Sequence, residues 1–146
     1  MRSTLLRPLA LLAVLASLSS LGCATAGLPS GITSNPLVSS LTSGLGVSPE
    51  QAVGGTGAMM GLAKNKLSPD QFSSITSAVP GLGDITKAAG PLLGGGSLNS
   101  LADVQGAFSK LGMSPDTVSK FAPLIGDAIS KGGGSQVASL FTGLFK

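Results

Sequence analysis

Histidine, tryptophan and tyrosine are absent from this 146-residue chain, and cysteine occurs once. Without histidine there is no imidazole base and no Ser-His pair, and with the one cysteine lipidated or removed there is no thiol nucleophile or thiolate metal ligand. No cofactor, metal or catalytic constellation is therefore expected. Five phenylalanines are the whole aromatic complement, so the core has to come from close helix contacts rather than large rings. Charged residues make up only 10% of the chain, and the mean hydropathy is positive at +0.46. That balance excludes a solvated disordered chain and a strongly basic nucleic-acid reader. Six carboxylates remain. Glu50, Asp70 and Asp116 sit at expected helix starts, while Asp84, Asp103 and Asp127 are isolated in the sequence. Paired-acid chemistry would need the fold to bring two of them together.

What is present begins with the pattern of an export signal. Arg2 and Arg7 form a positive N-terminal region, and residues 9–21, "LALLAVLASLSSL", form an apolar run too short to span a bilayer. Removing this segment takes both arginines with it, leaving seven lysines against six acids and a charge of about 7 − 6 = +1. "SLGC" places Gly22 before Cys23 and looks like a bacterial lipobox, whose cysteine is lipidated and becomes the first mature residue. Leu21 and Ser20 depart from the small residue and leucine usual there. The competing site is "ATA" at residues 24–26, which would start the mature chain at Gly27. The signal peptide thus covers 1–22, or 1–26 by the second route. Residues 23–36, with "GLPSGITSNP", read as a flexible tether to a domain over 37–146. Lipidation at Cys23 would attach that domain to the outer membrane facing the periplasm. Cleavage after Ala26 would leave it soluble in the periplasm or secreted.

Helical spacing starts with Leu37, Val38, Leu41 and Leu45. "LGVSPEQ", residues 45–51, then stops one helix and starts another. Gly46 suits a left-handed C-terminal residue, and Val47 packs back on the last turn. Ser48 is an N-cap, Pro49 fits the first turn, Glu50 faces the helix dipole and Gln51 closes a capping box. Ser68 with Gln71 repeats the pattern, and so does Ser114 with Thr117 in the near copy "LGMSPDT". Helices are predicted over about 37–45, 50–65, 69–79, 98–111, 115–130 and 135–145. These form two short-long-short runs, the pattern of an internal duplication. Residues 79–97 read as a linker with one helical piece near 84–89. Pro123 predicts a kink or break near Ala122. The expected fold class is all-α, a small compact bundle of about six short helices.

"GGTGAMMG", residues 54–61, places Gly54, Gly57 and Gly61 on adjacent turns of the long helix, with Met60 beside them. Two readings stand: close packing inside the molecule, or an interaction face for a homo-oligomer or for lipid. Met59 and Met60 divide in the same way between core filling and an adaptable groove. "GGGS" at 94–97 and again at 132–135 lacks both the Lys-Ser/Thr ending and the preceding strand of a phosphate loop. Lys64, Lys66, Lys87, Lys110, Lys120 and Lys131 are scattered without aromatic interleaving, which argues against a nucleic-acid partner.

The run "LGVSPEQAVGGTGAMMGLAKNKLSPDQFSSITSAVPGL", followed by "LADVQGAFSKLGMSPDTVSKFAPLIGDAISKGGGSQVASLFTGLF", resembles the VcgC/VcgE family of bacterial proteins, a domain of unknown function. The resemblance covers roughly residues 37–146. It implies a small all-α exported protein and supplies no catalytic residues. The expectation is a non-enzymatic cell-envelope protein, a lipoprotein or periplasmic protein that acts through contacts with another envelope protein. The alternative is a membrane-active or self-associating protein that uses the 54–61 helix face.

Overall fold

The structure, a computed structural model, describes residues 28–146. The regular elements there are all α-helices: α1 (Ser30–Thr33), α2 (Pro36–Leu45), α3 (Pro49–Lys66), α4 (Pro69–Ala78), α5 (Leu82–Leu93), α6 (Leu101–Lys110), α7 (Thr117–Gly133) and α8 (Ser135–Gly143). The all-α class holds, with α1 and α5 added to the six helices expected.

Local chemistry sets most of the boundaries. Gly46 adopts a left-handed conformation, φ 66°, and ends α2 with its N–H on the Thr42 carbonyl. The Ser48 hydroxyl accepts the Gln51 N–H at 3.2 Å, and Gln51 accepts the Ser48 N–H at 2.9 Å, so α3 opens with a full capping box. Ser68 and Gln71 repeat it for α4 at 3.4 and 3.1 Å. A further box opens α6, where Asp103 accepts the Ser100 N–H at 3.0 Å and Ser100 Oγ accepts the Asp103 N–H at 3.2 Å.

The expected cap at Ser114 is corrected by the structure. α7 begins at Thr117 behind Asp116, which makes no side-chain cap, and the Ser114 hydroxyl pairs with the Thr117 hydroxyl at 3.1 Å. The reason is reach. Thr117 stands where Gln51 and Gln71 stand in the other junctions, and its short hydroxyl cannot return to the Ser114 N–H. Thr117, Val118 and Ser119 instead donate to the carbonyls three residues back, those of Ser114, Pro115 and Asp116. This is a tight 3₁₀-like turn in place of a capped start.

Two further expectations change. The supposed linker over 79–97 contains a full helix, α5, which buries Leu82, Ile85 and Ala89 at spacings of three and four. Left-handed Gly81 and Gly94 bound it. Gly83, Gly90 and Pro91 dilute the helical signal in the sequence without preventing the helix. At the N-terminal side, part of the expected tether is folded: residues 30–33 form α1, and Asn35 caps α2. Pro123 lies inside α7, which nonetheless runs unbroken to Gly133. Ser119, whose carbonyl loses its helical partner there, is exposed, and so is Pro123. Water can satisfy that carbonyl.

α3 is the axis of the fold. Every residue from Ala52 to Met60 is buried, and small side chains are what allow neighbours to close on it from several sides. A Cβ on Gly55 would lie 2.8 Å from the Phe121 ring and 3.0 Å from that of Phe108. Those two rings meet edge to face at 5.1 Å and seal the α6–α7 side. α5 provides the most extensive contact with α3, while α2 and α7 close the remainder. The two runs keep their short-long-short lengths, 10, 18 and 10 residues against 10, 17 and 9. They pack differently, since α7 rests mainly on α8 whereas α3 rests mainly on α5.

Candidate functional site

The 54–61 face is occupied within the fold. A Cβ on Gly54 or Gly61 would come to 2.6 Å from the side chain of Leu111 or Leu98, and one on Gly57 would overlap Ala89 Cβ. Met60 is fully buried. The structure therefore corrects the proposed interaction face at Gly54, Gly57, Met60 and Gly61: the three glycines seat Leu111 at the end of α6, Ala89 of α5 and Leu98 ahead of α6, and Met60 is in the core. Ser48 and Ser68 cap helices, and Ser114 does not. Cys23 lies outside the described residues.

An open surface lies instead beside the first described residues. Asn35 organises it. Its Oδ1 accepts the Leu37 N–H at 2.9 Å to cap α2, and its Nδ2 donates to the Pro80 carbonyl at 2.9 Å, fixing the start of α2 to the α4–α5 turn. Gly81 follows with φ 79°, and a Cβ there would sit 2.6 Å from Asn35 Nδ2, so the turn needs glycine on both counts.

On one side of Asn35, α1 and α5 enclose a cavity of about 610 Å³ walled by Ile32 and Ala88. The Asp84–Lys87 ion pair at its rim is long, 3.8 Å, and well exposed, so it contributes little. On the other side, a groove of about 470 Å³ runs between α2, the Val79–Pro80 turn and α7. Leu37 and Val79, 3% and 5% exposed, form its floor, and half-buried Leu124 and Ala128 form the α7 wall. Asp127 and Lys131 are the charged groups of the lining, both on the exposed side of α7. Gly132 lets α7 approach so closely that any Cβ there would overlap the Ala78 carbonyl. The volume lies within the range of small-molecule sites, roughly 300–1,000 Å³. Chemically the groove offers apolar surface with one charge of each sign.

A family model described as protein of unknown function VcgC/VcgE matches residues 21–144. The chain belongs to the VcgC/VcgE family. No curated protein and no solved structure gives a match. The VcgC/VcgE match spans both "LG…SP" junctions, all eight helices of the described residues and both lips of the groove.

In this VcgC/VcgE protein, no three Asp, Glu, His or Cys side chains gather as a metal site among the described residues. Nor is any described helix long and apolar enough to cross a membrane. The Asp103 carboxyl has a lowered pKa. The Ser100 hydroxyl, donating at 2.9 Å, and then the Asn99 and Ser100 N–H groups hold it below the usual carboxylate range. That arrangement is a helix cap. Thr56 Oγ1 and Glu50 Oε1 are buried without a hydrogen-bond partner, but neither residue lines the cavity or the groove. The groove residues are the ones that sequence reasoning missed. The available signal was Asn35-Pro36, which has the chemistry of an N-cap followed by a first-turn proline.

Proposed function

We propose that this chain is a non-enzymatic exported protein of the cell envelope, held at the outer membrane through lipid on Cys23 and acting through contacts with another envelope protein. The observation that carries the reading is an order of features: Arg2 and Arg7, the apolar run 9–21, then Gly22-Cys23, only five residues ahead of Leu28, where the described fold begins. A basic and apolar leader ending in an acylatable cysteine, next to a small folded domain, is the arrangement of a tethered periplasmic domain. The apolar groove beside that tether supports a role in binding.

Membrane insertion or self-association through residues 54–61 gains no support. It would require α3 to leave the core, because Ala89 and Leu98 already cover that face.

The test is the intact mass of the protein isolated from its own membranes and from the soluble periplasmic fraction. A chain that starts at lipid-modified Cys23 supports the reading. One that starts at Gly27 replaces the anchored form with a soluble periplasmic or secreted one, and one that retains residues 1–22 refutes export.

A further inference from the structure

We propose that the groove between α2, the Val79–Pro80 turn and α7 receives an acyl chain of the lipid carried by Cys23 of the same molecule. The proposal rests on the lipidation reading above. Its first support is composition. The floor, Leu37 and Val79, is almost closed to solvent, while Leu124 and Ala128 remain half open, so the groove presents apolar surface that nothing in the described chain covers. Each methylene that moves from water onto such a surface shifts the equilibrium by about fourfold.

The second support is reach. Cys23 precedes Leu28 by five residues, a contour of at most about 18 Å. Pro29, the next residue, lines the cavity on the near side of Asn35, and Asn35 lines both that cavity and the groove. α1, lying between them, has four residues and advances the chain by only about 6 Å. The hydrogen bond from Asn35 to Pro80 fixes the start of α2 at the edge of the groove, so the stretch of chain that has to be bridged is short. In chain order the cavity at Pro29 comes first and the groove follows beyond Asn35, within the span of an acyl chain, and the two charged groups of the groove lining, Asp127 and Lys131, are on exposed residues of α7 whereas the floor residues are buried. Occupation of the groove would compete with insertion of the same acyl chain into the bilayer.

The test uses the full protein labelled in growing cells with a diazirine-bearing palmitate, purified in its lipidated form, irradiated and mapped by mass spectrometry. Intramolecular cross-links concentrated on residues 35–40, 78–80 and 124–132 are expected. Ala128→Trp, which fills the groove, should abolish them while the circular dichroism spectrum stays unchanged. If that variant does not fold, Leu124→Asn, which makes the wall polar, should reduce them in its place. Cross-links to a second copy of the chain, to detergent alone, or spread evenly over the surface would overturn the proposal. An intact mass without lipid at Cys23 overturns both this proposal and the reading beneath it, whereas a lipidated chain whose cross-links avoid the groove overturns this proposal alone.

Discussion

Gly57 tests whether the packing of α3 against α5 defines the fold. In an unconstrained helix, Gly→Ala gains about 1 kcal/mol. At Gly57 the added methyl lands on Ala89 Cβ, a group with no rotamer through which to yield, so the two helices would have to separate. Overpacking of this kind costs about 1–3 kcal/mol, and the rigidity of both partners places it near the top of that range. Subtracting the propensity gain leaves a net loss of about 2 kcal/mol. The 119 described residues, 146 − 27, have an unfolding entropy of about 0.25 kcal/mol/K at ~2.1 cal/mol/K per residue, so Tm should fall by about 8 °C. Gly106, exposed in α6 with nothing near its Cβ position, is the control, and Gly106→Ala should raise Tm by about 4 °C. Moving the methyl across, Gly57→Ala with Ala89→Gly, exchanges equal propensities and relieves the overlap, so the double variant should melt near wild type with a coupling of about 3 kcal/mol. Far-UV circular dichroism is the assay, since the chain has no tryptophan or tyrosine for fluorescence. A Gly57→Ala protein that gains stability as Gly106→Ala does, or an additive double variant, would refute the reasoning.

Three other outcomes are expected. Ser48→Ala and Ser68→Ala should each cost about 1 kcal/mol in urea denaturation through a lost cap, whereas Ser114→Ala should cost only a few tenths; equal costs would contradict the start assigned to α7. Phe121→Ala should cost about 3–5 kcal/mol, because it removes both the edge-to-face partner of Phe108 and the cover over Gly55; a loss under about 1 kcal/mol in the same assay would show that this side of α3 is not sealed by Phe121. Because the folded pKa of Asp103 is depressed, its contribution is present above the unfolded value near 3.9 and is lost as pH falls through the folded value. Asp103→Asn should therefore flatten the acid limb of a Tm-against-pH curve, and an unchanged acid limb would exclude Asp103 as its source.

The helix ends were legible because their chemistry is local. Ser48, Pro49 and Gln51 specify a boundary within four residues, and the structure makes both bonds of that box. The same rule failed at Ser114, where a single change in the third position, Gln to Thr, removed the reach that the box requires. α5 was legible only as a short piece near 84–89, for a different reason. Its helical signal is carried by Leu82, Ile85 and Ala89 among two interior glycines and a proline, and its stability comes from α3, which no local window contains. The groove was less legible still. It takes residues from 35–40, 78–80 and 124–132, three segments that each read separately as an ordinary helix end or helix face.

The repeated junction shows how a local signal becomes a tertiary one. Gln51 closes its own capping box through Oε1, and its Nε2 reaches across sixty residues to the Leu111 carbonyl at 3.0 Å. Leu111 is the first residue of the second copy, "LGMSPDT", and its side chain also fills the space left by the missing Cβ of Gly54. One junction thus satisfies a carbonyl at the helix end of the other, a group that α6 itself leaves without a partner. The second copy has Thr117 in the glutamine's place and returns no such bond. Its short Thr117 leaves α7 to start later and more tightly, so the two copies are joined by a contact that runs one way.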